Sequence, residues 1–328
     1  MALKISTIGI IADDLTGAND TALQFLLKGC NTQILLDLNQ IPEGCNNTLA
    51  WAINTESRHL EPEQAAFQVG KATEALEERL QVDFIYKKID STLRGNIAVE
   101  ALKILESKSW DAAVIVPVYP DESRITVGGY HLLRGVPIER TEVARDPSSP
   151  IYQSHIPTLL SNQLTAVKKD PKVVGHITLS KVMRGAAPIL LELQEQIKSG
   201  KKLIVIDAVS SVDLDQIVLA MEKCMVHSKI LPCGSAGLAS AITKSWLDEA
   251  KFKLFNNTIP DYPILTVVGS VTSITRSQVK LLQENAEKYN FDFIELRPEQ
   301  LVDGIDSYFE KEAIQKMSEG KNILVYSA

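Results

Sequence analysis

The stretch that decides the fold is residues 8–25, "IGIIADDLTGANDTALQF". It begins with five apolar residues and continues with apolar side chains at helical spacing, which predicts a buried β-strand followed by an α-helix. Asp13 and Asp14 lie between the two, with Thr16 as the expected N-cap and Gly17 permitting close backbone approach. Ligands of open α/β sheets bind beyond the carboxyl ends of strands, so this turn is a candidate site.

The alternation of short apolar runs with amphipathic helices continues along all 328 residues of the chain. Further strand candidates are "TQILL", "LAWAIN", "DFIYKKI", "AAVIVPV", "KLIVIDAV", "PILTVVGS" and "NILVYS". This pattern predicts an α/β protein with two α/β domains, largely parallel sheets and a cleft between the domains. Residues 119–160, rich in Gly and Pro, interrupt the pattern and predict an elaboration that carries either loops or a small antiparallel hairpin.

A polar stretch predicts where the two domains meet. The sequence "DEAKFKLFNNTIPDYP", residues 248–263, separates a helix from the strand that begins near Ile264. We therefore expect domains at 1–255 and 256–328. The second domain stops directly after a strand, so we expect it to be incomplete at its C-terminal end.

Composition limits the classes of function. The chain is 45% hydrophobic and 23% charged, with a formal net charge of -7 and a pI near 5.4. Because no excess of Lys and Arg is available to neutralise phosphates, a general nucleic-acid binder is excluded. The four cysteines have no CxxC spacing, which predicts free thiols rather than a metal site or disulfides. No signal peptide or membrane-length apolar run occurs, so we expect a cytoplasmic protein with no membrane partner.

A second motif, "YKKIDSTLRGN" at residues 86–96, places cations beside small hydroxyl residues at another predicted strand-to-helix turn. Its polar members are Lys87, Lys88, Asp90, Ser91 and Arg94. A guanidinium and an ammonium in this setting suit a carboxylate or phosphate on a substrate. The plainer interpretation is an exposed lysine pair with Arg94 in a surface salt bridge. Together with the aspartate turn, the motif indicates a small polyhydroxy acid.

Four weaker motifs also follow predicted strands. "NTESRHL" contains Glu56 and Arg58, and "DESRITVGGYHLLRG" contains Arg124, Gly129 and His131. "PCGSAGLA" at 232–239 and "VVGSVTSITRSQ" at 267–278 are glycine turns that either hold a phosphate on backbone amides or simply turn the chain. Neither has the spacing of a P-loop or a dinucleotide fingerprint.

Taken in order, these motifs resemble the four-carbon acid sugar kinases, which include the D-threonate, D-erythronate and 3-oxo-tetronate kinases. The resemblance covers the whole chain, and the first and second motifs are its most specific parts. It implies an ATP-dependent kinase that phosphorylates the terminal hydroxyl of a small sugar acid. It also implies that residues 1–255 bind the acid and that residues 256–328 bind the nucleotide.

The resemblance implies roles for particular residues. It implies that Asp13, Asp14 and Asp90 line the acid site. Because phosphoryl transfer to a hydroxyl releases a proton, we expect one of these carboxylates to be the catalytic base, with Asp14 preferred. The acid ligands that it implies are Arg58, Lys87, Ser91, Arg94, Gly129 and His131. Lys87 and Arg94 are expected to clamp the substrate carboxylate. Gly269, Ser270 and Thr272 are the expected nucleotide contacts, and Mg²⁺ is expected to bind through nucleotide and water, without protein metal ligands.

Two departures from the family pattern and three competing functions accompany this prediction. Glu56 stands where the family commonly has Asp, and the later glycine-rich nucleotide motifs of the family have no match here. A ribokinase-like sugar kinase is suggested by "GAND" at 17–20, with Asp20 as base, although the motif comes early in the chain. A decarboxylating or aldol-type enzyme and a non-catalytic acid sensor also fit the polar motifs. The acid, its stereochemistry and the number of subunits stay open, with a homo-oligomer as one possibility.

Overall fold

The computed structural model describes residues 7–38, 49–107, 110–146, 149–246, 262–270, 272–297, 299 and 307–327. The chain divides into two compact units, Met1–Leu254 and Phe255–Ala328. The predicted α/β class with largely parallel sheets is confirmed. The roles assigned to the two domains, and the cleft between them, stay predictions. No helix in the described ranges is both long and apolar enough to cross a bilayer.

Unit 1 is built on an eight-stranded sheet in which every neighbouring pair of strands is parallel. Its strands are β1 (Ile8–Ala12), β2 (Thr32–Leu35), β3 (Ala50–Asn54), β4 (Phe84–Lys88), β5 (Ala112–Val116), β9 (Val174–Ile177), β10 (Leu203–Ile206) and β11 (Ile230–Gly234). Their order across the sheet is β2-β3-β1-β4-β11-β5-β10-β9. The central strands are buried on both faces, which explains their continuous apolar runs.

Helices cover both faces of this sheet. They are α1 (Leu15–Leu27), α2 (Pro62–Glu74), α3 (Ile97–Leu105), α4 (Ile156–Ala166), α5 (Leu179–Val182), α6 (Ala186–Lys198), α7 (Ser211–Cys224) and α8 (Ala236–Trp246). A π-helical turn, Ala75–Arg79, extends α2, and short 3₁₀ turns lie at Pro120–Glu122, Ile138–Arg140, Glu142–Arg145 and Pro171–Val173. Helices α1, α6, α7 and α8 contribute to one apolar core, whereas α2, α3 and α4 contribute to the other.

The strand order creates a crevice at β1 and β4. From β1 the chain runs through α1 to β2, which lies towards one edge of the sheet. From β4 it runs through α3 to β5, which lies towards the opposite edge. The two strands are neighbours, and Ala12 lies opposite Lys88 in the register. A reversal of this kind opens a crevice at the carboxyl ends of the two strands, where ligands bind in such folds. Both polar motifs of the sequence begin at these ends.

The predicted antiparallel elaboration is present. It consists of β6 (Arg124–Val127), β7 (Tyr130–Leu133) and β8 (Val136–Pro137), joined in chain order. Asp207, which follows β10 and is fully buried, anchors the β6–β7 turn. Its carboxylate accepts from the backbone N–H groups of Gly128 and Gly129, at 2.7 and 2.9 Å. This anchor holds the antiparallel sheet at the carboxyl edge of the parallel one.

Unit 2 has its own three-stranded parallel sheet. The strands are β12 (Leu265–Val268), β13 (Phe291–Leu296) and β14 (Asn322–Ser327), in the order β12-β14-β13. The helices are α9 (Ser273–Glu284), α10 (Ala286–Tyr289) and α11 (Ser307–Ser318). Ile294, Leu296 and Ile323 form its small buried core.

The cysteines follow the prediction as far as they are described. Cys30, Cys224 and Cys233 are buried free thiols. Cys45 lies outside the described residues.

Candidate active site

The aspartate turn after β1 begins helix α1. Asp14 is the N-cap, in an extended conformation, and its Oδ1 accepts from the backbone N–H of Gly17 at 2.7 Å. The expectation that Thr16 is the cap was wrong, because Thr16 already lies in the first helical turn. A Cβ on Gly17 would lie 2.6 Å from Asp14 Oδ1 and 3.0 Å from Lys88 Nζ. The absence of a side chain at Gly17 leaves room for the Asp14 carboxylate and the Lys88 ammonium.

Arg58 ties three carboxylates together. Its Nε and Nη2 donate to the two carboxylate oxygens of Asp13, at 2.8 and 3.1 Å. Its Nη1 donates to Asp14 Oδ2 at 2.6 Å, and its Nη2 lies 4.0 Å from Asp90 Oδ1. Burial works to lower the pKa of this guanidinium, but the bond to Asp13 and the charges of Asp13, Asp90 and Asp14 raise it above its ordinary value. Arg58 is thus held as a permanent cation.

The second motif joins the same network through Asp90. Arg94 Nε donates to Asp90 Oδ2 at 2.7 Å, and its Nη1 donates to Asp146 Oδ2 at 2.8 Å. Burial works to raise the pKa of Asp90, but Arg94, Arg58 and the hydroxyl of Thr92 hold it well below its usual range. The acidic and basic motifs of the sequence therefore meet at one place.

Lys87 and Lys88 point to opposite faces of the sheet, because successive strand residues alternate. Lys87 lies on the α3 side, where its ammonium is 2.7 Å from Glu100 Oε2 and donates to the backbone carbonyl of Lys88 at 2.9 Å. Its exposed fraction is 0% and that of Lys88 is 4%, so the interpretation as an exposed lysine pair was wrong. The Lys87 ammonium therefore points into the core on the α3 face of the sheet and not towards the turn that begins α1.

Lys88 lies on the α1 side, next to Gly17. Its ammonium donates to the carbonyl of Ile89 at 2.9 Å and forms no ion pair within 4 Å in the described part of the chain. Burial lowers the pKa of Lys88, and the charges of Asp13, Asp90, Asp14 and Asp20 oppose that shift. An ammonium has three N–H donors, so donors of Lys88 stay unfilled.

Arg124 adds a cation to this region that the sequence did not place among the acid ligands. It begins β6, and its Nη1 donates to Ser91 Oγ at 2.6 Å. Its Nε is buried and has no hydrogen-bond partner in the described structure. The only sequence signal was its place in the weak "DESRITVGGYHLLRG" motif, since nothing local shows that β6 folds back beside Ser91. Arg124 and Lys88 are therefore two cations of this region with unfilled donors.

His131 and Gly129 serve the antiparallel sheet. His131 is fully buried, with Nδ1 2.9 Å from Thr126 Oγ1 and Nε2 2.8 Å from the carbonyl oxygen of Ser91. A carbonyl only accepts, so Nε2 carries the proton and Nδ1 accepts from Thr126. Burial lowers the pKa of His131 to about 4. Because these ring nitrogens and the Gly129 N–H are already bonded within the protein, the structure offers no free group of either residue to a substrate.

Glu56 and the first glycine turn also bond internally. Glu56 Oε1 accepts from the side-chain amide of Asn54 at 2.6 Å, and Glu56 adopts a left-handed φ of 50°. In "PCGSAGLA", the Ser235 hydroxyl donates to the carbonyl of Val118 at 2.6 Å and accepts from the Gly237 N–H at 3.0 Å. The tight-turn interpretation suits this geometry better than a phosphate site, because the Gly237 amide is already used.

The predicted nucleotide contacts lie in unit 2. Thr272 is the N-cap of α9, and Ser270 Oγ accepts from the Thr275 hydroxyl at 3.1 Å. Gly269 leaves open space where a side chain would stand. A cavity of about 220 Å³ at the carboxyl ends of β12 and β14 is lined by Val268, Ser270, Arg276, Val279, Gln283, Glu295, Tyr326 and Ser327. Contact of these residues with a nucleotide stays a prediction.

The described residues do not form a protein metal site. Among them, no group of three or more His, Cys, Asp or Glu side chains is arranged to hold a metal ion. In particular, the oxygens of Asp13, Asp14 and Asp90 accept from Arg58, Arg94 and the Gly17 N–H.

Comparison with known proteins identifies the family. The family model described as "Sugar-binding N-terminal domain" matches residues 8–242, which include the whole crevice. The chain belongs to this family, and the predicted relation to the four-carbon acid sugar kinases is confirmed.

Two curated relatives cover most of the chain. A D-erythronate kinase of Heliobacterium modesticaldum is 35% identical over 316 residues, which are 96% of this chain and 67% of the relative. A D-threonate kinase of Salmonella typhimurium is 36% identical over 285 residues, which are 86% of this chain and 63% of the relative. The chain thus spans about two thirds of the length of these relatives.

A solved structure has a similar fold. It is a domain of unknown function from Bordetella bronchiseptica, a domain-swapped dimer with bound citrate. It is 26% identical to this chain with a TM-score of 0.61, and the match covers 98% of this chain and 74% of that one.

Proposed function

We propose that the protein is a kinase that transfers the γ-phosphoryl group of ATP to the terminal hydroxyl of a four-carbon sugar acid. The names of the curated relatives support this activity. The observation that carries the proposal is the meeting of the Asp13–Asp14 turn, Arg58 and the Asp90–Arg94 turn at the crevice between β1 and β4. This position suits a small hydroxylated anion, because Lys88 and Arg124 retain unfilled donors beside this network.

Within this proposal, the acid's carboxylate is held by Arg124 together with the Ser91 hydroxyl. Arg124 retains a buried Nε without a partner, and its Nη1 already orients Ser91 at 2.6 Å. Lys88 takes the place that the sequence suggested for Lys87, because only Lys88 lies on the α1 side with unfilled donors. Arg94, bonded to Asp90 and Asp146, orients the turn that carries Ser91. Positioning of this kind supplies much of the catalysis of phosphoryl transfer.

The nucleotide is proposed to bind unit 2 near Ser270 and Thr272, with Mg²⁺ held by its phosphates and water. Mg²⁺ would neutralise charge on the phosphate oxygens. We also propose a cytoplasmic location, where ATP is available, and a homo-oligomer, since the Bordetella relative is a dimer.

The test is ADP release by the full-length protein with a panel of D-threonate, D-erythronate and 3-oxo-tetronate isomers. We expect ATP-dependent phosphorylation of at least one four-carbon acid, with no turnover of that acid when ATP is omitted. Binding of an acid without ADP release would favour the acid sensor instead. Turnover without ATP would favour a decarboxylating or aldol-type enzyme.

A further inference from the structure

One carboxylate beside the crevice has no partner. Asp20 lies on α1 three residues after Gly17, and residues at this spacing share a helix face. Gly17 itself lies against the Lys88 ammonium. In the described part of the chain, the Asp20 carboxylate accepts no hydrogen bond and forms no ion pair, and the side chain is partly exposed. Its oxygens are therefore available to a bound molecule.

The other three candidate carboxylates are occupied. Both oxygens of Asp13 accept from Arg58, and the two oxygens of Asp14 accept from Gly17 N–H and Arg58. Asp90 accepts from Arg94 through both oxygens. Charge-assisted bonds stabilise the ionised form, so a carboxylate filled in this way is a poor proton acceptor. A base with free oxygens has to come from another position.

The charges around Asp20 suit such a role. The groups whose charges act on it are Lys88, Arg124, Glu122 and Asp14, and the Tyr119 hydroxyl lies within the same field. Partial burial raises the pKa of Asp20, the two cations oppose that shift, and Glu122 and Asp14 add to it. A carboxylate with a raised pKa is a stronger base than an ordinary one, while the neighbouring cations favour its ionised form.

We propose that Asp20 accepts the proton of the substrate's terminal hydroxyl during phosphoryl transfer. This inference rests on the proposed kinase function. The hydroxyl oxygen forms a bond to the γ-phosphorus of ATP, and the bond from that phosphorus to the β–γ bridging oxygen breaks. The electron pair of the broken bond leaves with ADP, and the hydroxyl proton moves to an Asp20 carboxylate oxygen. Asp13, Asp14 and Asp90 are positioning residues that hold Arg58 and Arg94.

The experiment compares Asp20→Asn with a matched control, Glu122→Gln, in the full-length protein. Each change removes one negative charge: Asp20→Asn removes the proposed base itself, and Glu122→Gln removes a carboxylate whose charge acts on Asp20. Glu122 is exposed and has no part in the proposed chemistry. We expect Asp20→Asn to lower kcat by about 10²- to 10⁴-fold, the usual effect of losing a general base. The KM for the acid should change little, and Glu122→Gln should keep wild-type kcat. An Asp20→Asn enzyme within about threefold of wild-type kcat would overturn the assignment.

The pH profile separates a base from a structural group. Wild-type kcat/KM should fall on the acid side as Asp20 becomes protonated, and this limb should be absent in the residual activity of Asp20→Asn. Asp20→Glu should retain the limb. The same acidic limb in Asp20→Asn as in wild type would count against Asp20.

Acid binding measured by calorimetry completes the test without relying on turnover. Asp20→Asn should fold and bind the acid at least as tightly as wild type, because an anion near the ligand has been neutralised. Loss of acid binding in this variant would overturn the assignment.

Failure of the Asp20 assignment and failure of the kinase proposal give different results. If the wild type and Asp20→Asn both phosphorylate the acid at similar rates, only the role of Asp20 fails. If the wild type releases no ADP with any acid of the panel, the kinase proposal fails and this inference falls with it.

Discussion

At the scale of single residues, the site depends on which polar groups are already satisfied. Arg58 and Asp13 form a two-bond ion pair that is largely buried, so neither has much capacity left for a ligand. Lys88 and Arg124 retain unfilled donors at the same crevice. Residue type alone does not distinguish Arg58 and Asp13 from Lys88 and Arg124, because all four side chains are charged and lie at or near the end of a strand.

His131 provides a prediction at this scale. Its pKa in the folded protein is about 4, below the ordinary value of 6.5, because the ring is buried and neutral. Between these pH values the unfolded chain binds a proton that the folded chain does not. The stability that the protein gains from keeping His131 neutral is therefore fully present above about pH 6.5. As the pH falls towards 4, the free energy of unfolding should decrease by about 3 kcal/mol.

Urea unfolding at pH 7, 5.5 and 4.5 measures this effect. His131→Gln, which cannot be protonated, should be less stable than wild type at pH 7 but should show a weaker dependence on pH. An identical pH dependence in the two proteins would contradict the assignment of this effect to His131.

At the scale of secondary structure, β4 links the two faces of the sheet. Lys87 pairs with Glu100 of α3, and Glu100 Oε1 accepts from the Ser57 hydroxyl at 2.6 Å. The Ser57 N–H in turn donates to the carbonyl of Asp13 at 3.0 Å. The buried Lys87–Glu100 pair therefore supports the aspartate turn through Ser57, which is a positioning role rather than substrate binding.

Removing one partner of this pair should be costly. Lys87→Met leaves Glu100 as an unpaired carboxylate in the core, and we expect a loss of about 3–5 kcal/mol in the free energy of unfolding. Adding Glu100→Leu should recover part of that loss, because the uncompensated charge is gone. Urea unfolding of the two variants measures both changes.

An exposed lysine of α3 is the matched control. Lys103 and Glu106 form an ion pair of 3.6 Å at the surface, where both side chains are more than one third exposed. Lys103→Met should therefore change the free energy of unfolding by less than about 1 kcal/mol. A Lys87→Met protein as stable as Lys103→Met would show that the buried pair does not support the fold.

At the scale of the whole molecule, the residues assigned to acid binding and proton transfer all lie in unit 1. Asp20, Lys88, Ser91 and Arg124 fall within Met1–Leu254. The net charge of -7 opposes an anionic ligand at long range, so binding has to rely on the local cations of the crevice. The carboxylate of the ligand should therefore be essential for binding.

Ligand stabilisation tests this expectation on the whole chain. At a concentration of about 100 times its Kd, the correct four-carbon acid should stabilise the protein by about 2.7 kcal/mol. Thermal unfolding should show a raised Tm with the acid and no shift with erythritol, the neutral four-carbon polyol. Equal shifts with the acid and with erythritol would contradict a carboxylate-dependent site.

The predictions that succeeded at element scale rest on local signals. The strand and helix of residues 8–25, the parallel class and the antiparallel elaboration follow from periodicity and from Gly and Pro placement. The inward position of Lys87 could not be predicted, because a strand buried on both faces presents two apolar sides of similar composition. Only the position of Glu100 on α3 shows which face receives the ammonium.

The sequence by itself determined the strand–turn–helix units, the parallel α/β class, and the positions of the polar motifs at strand ends. These properties depend on residues close together in the chain. The tertiary structure alone decided which member of each polar pair faces the crevice and which charges neutralise one another. Arg58 and Asp13 are 45 residues apart, and Arg124 and Ser91 are 33 apart. Such pairs form only when strand order and helix packing bring distant segments together, and no local pattern encodes that meeting.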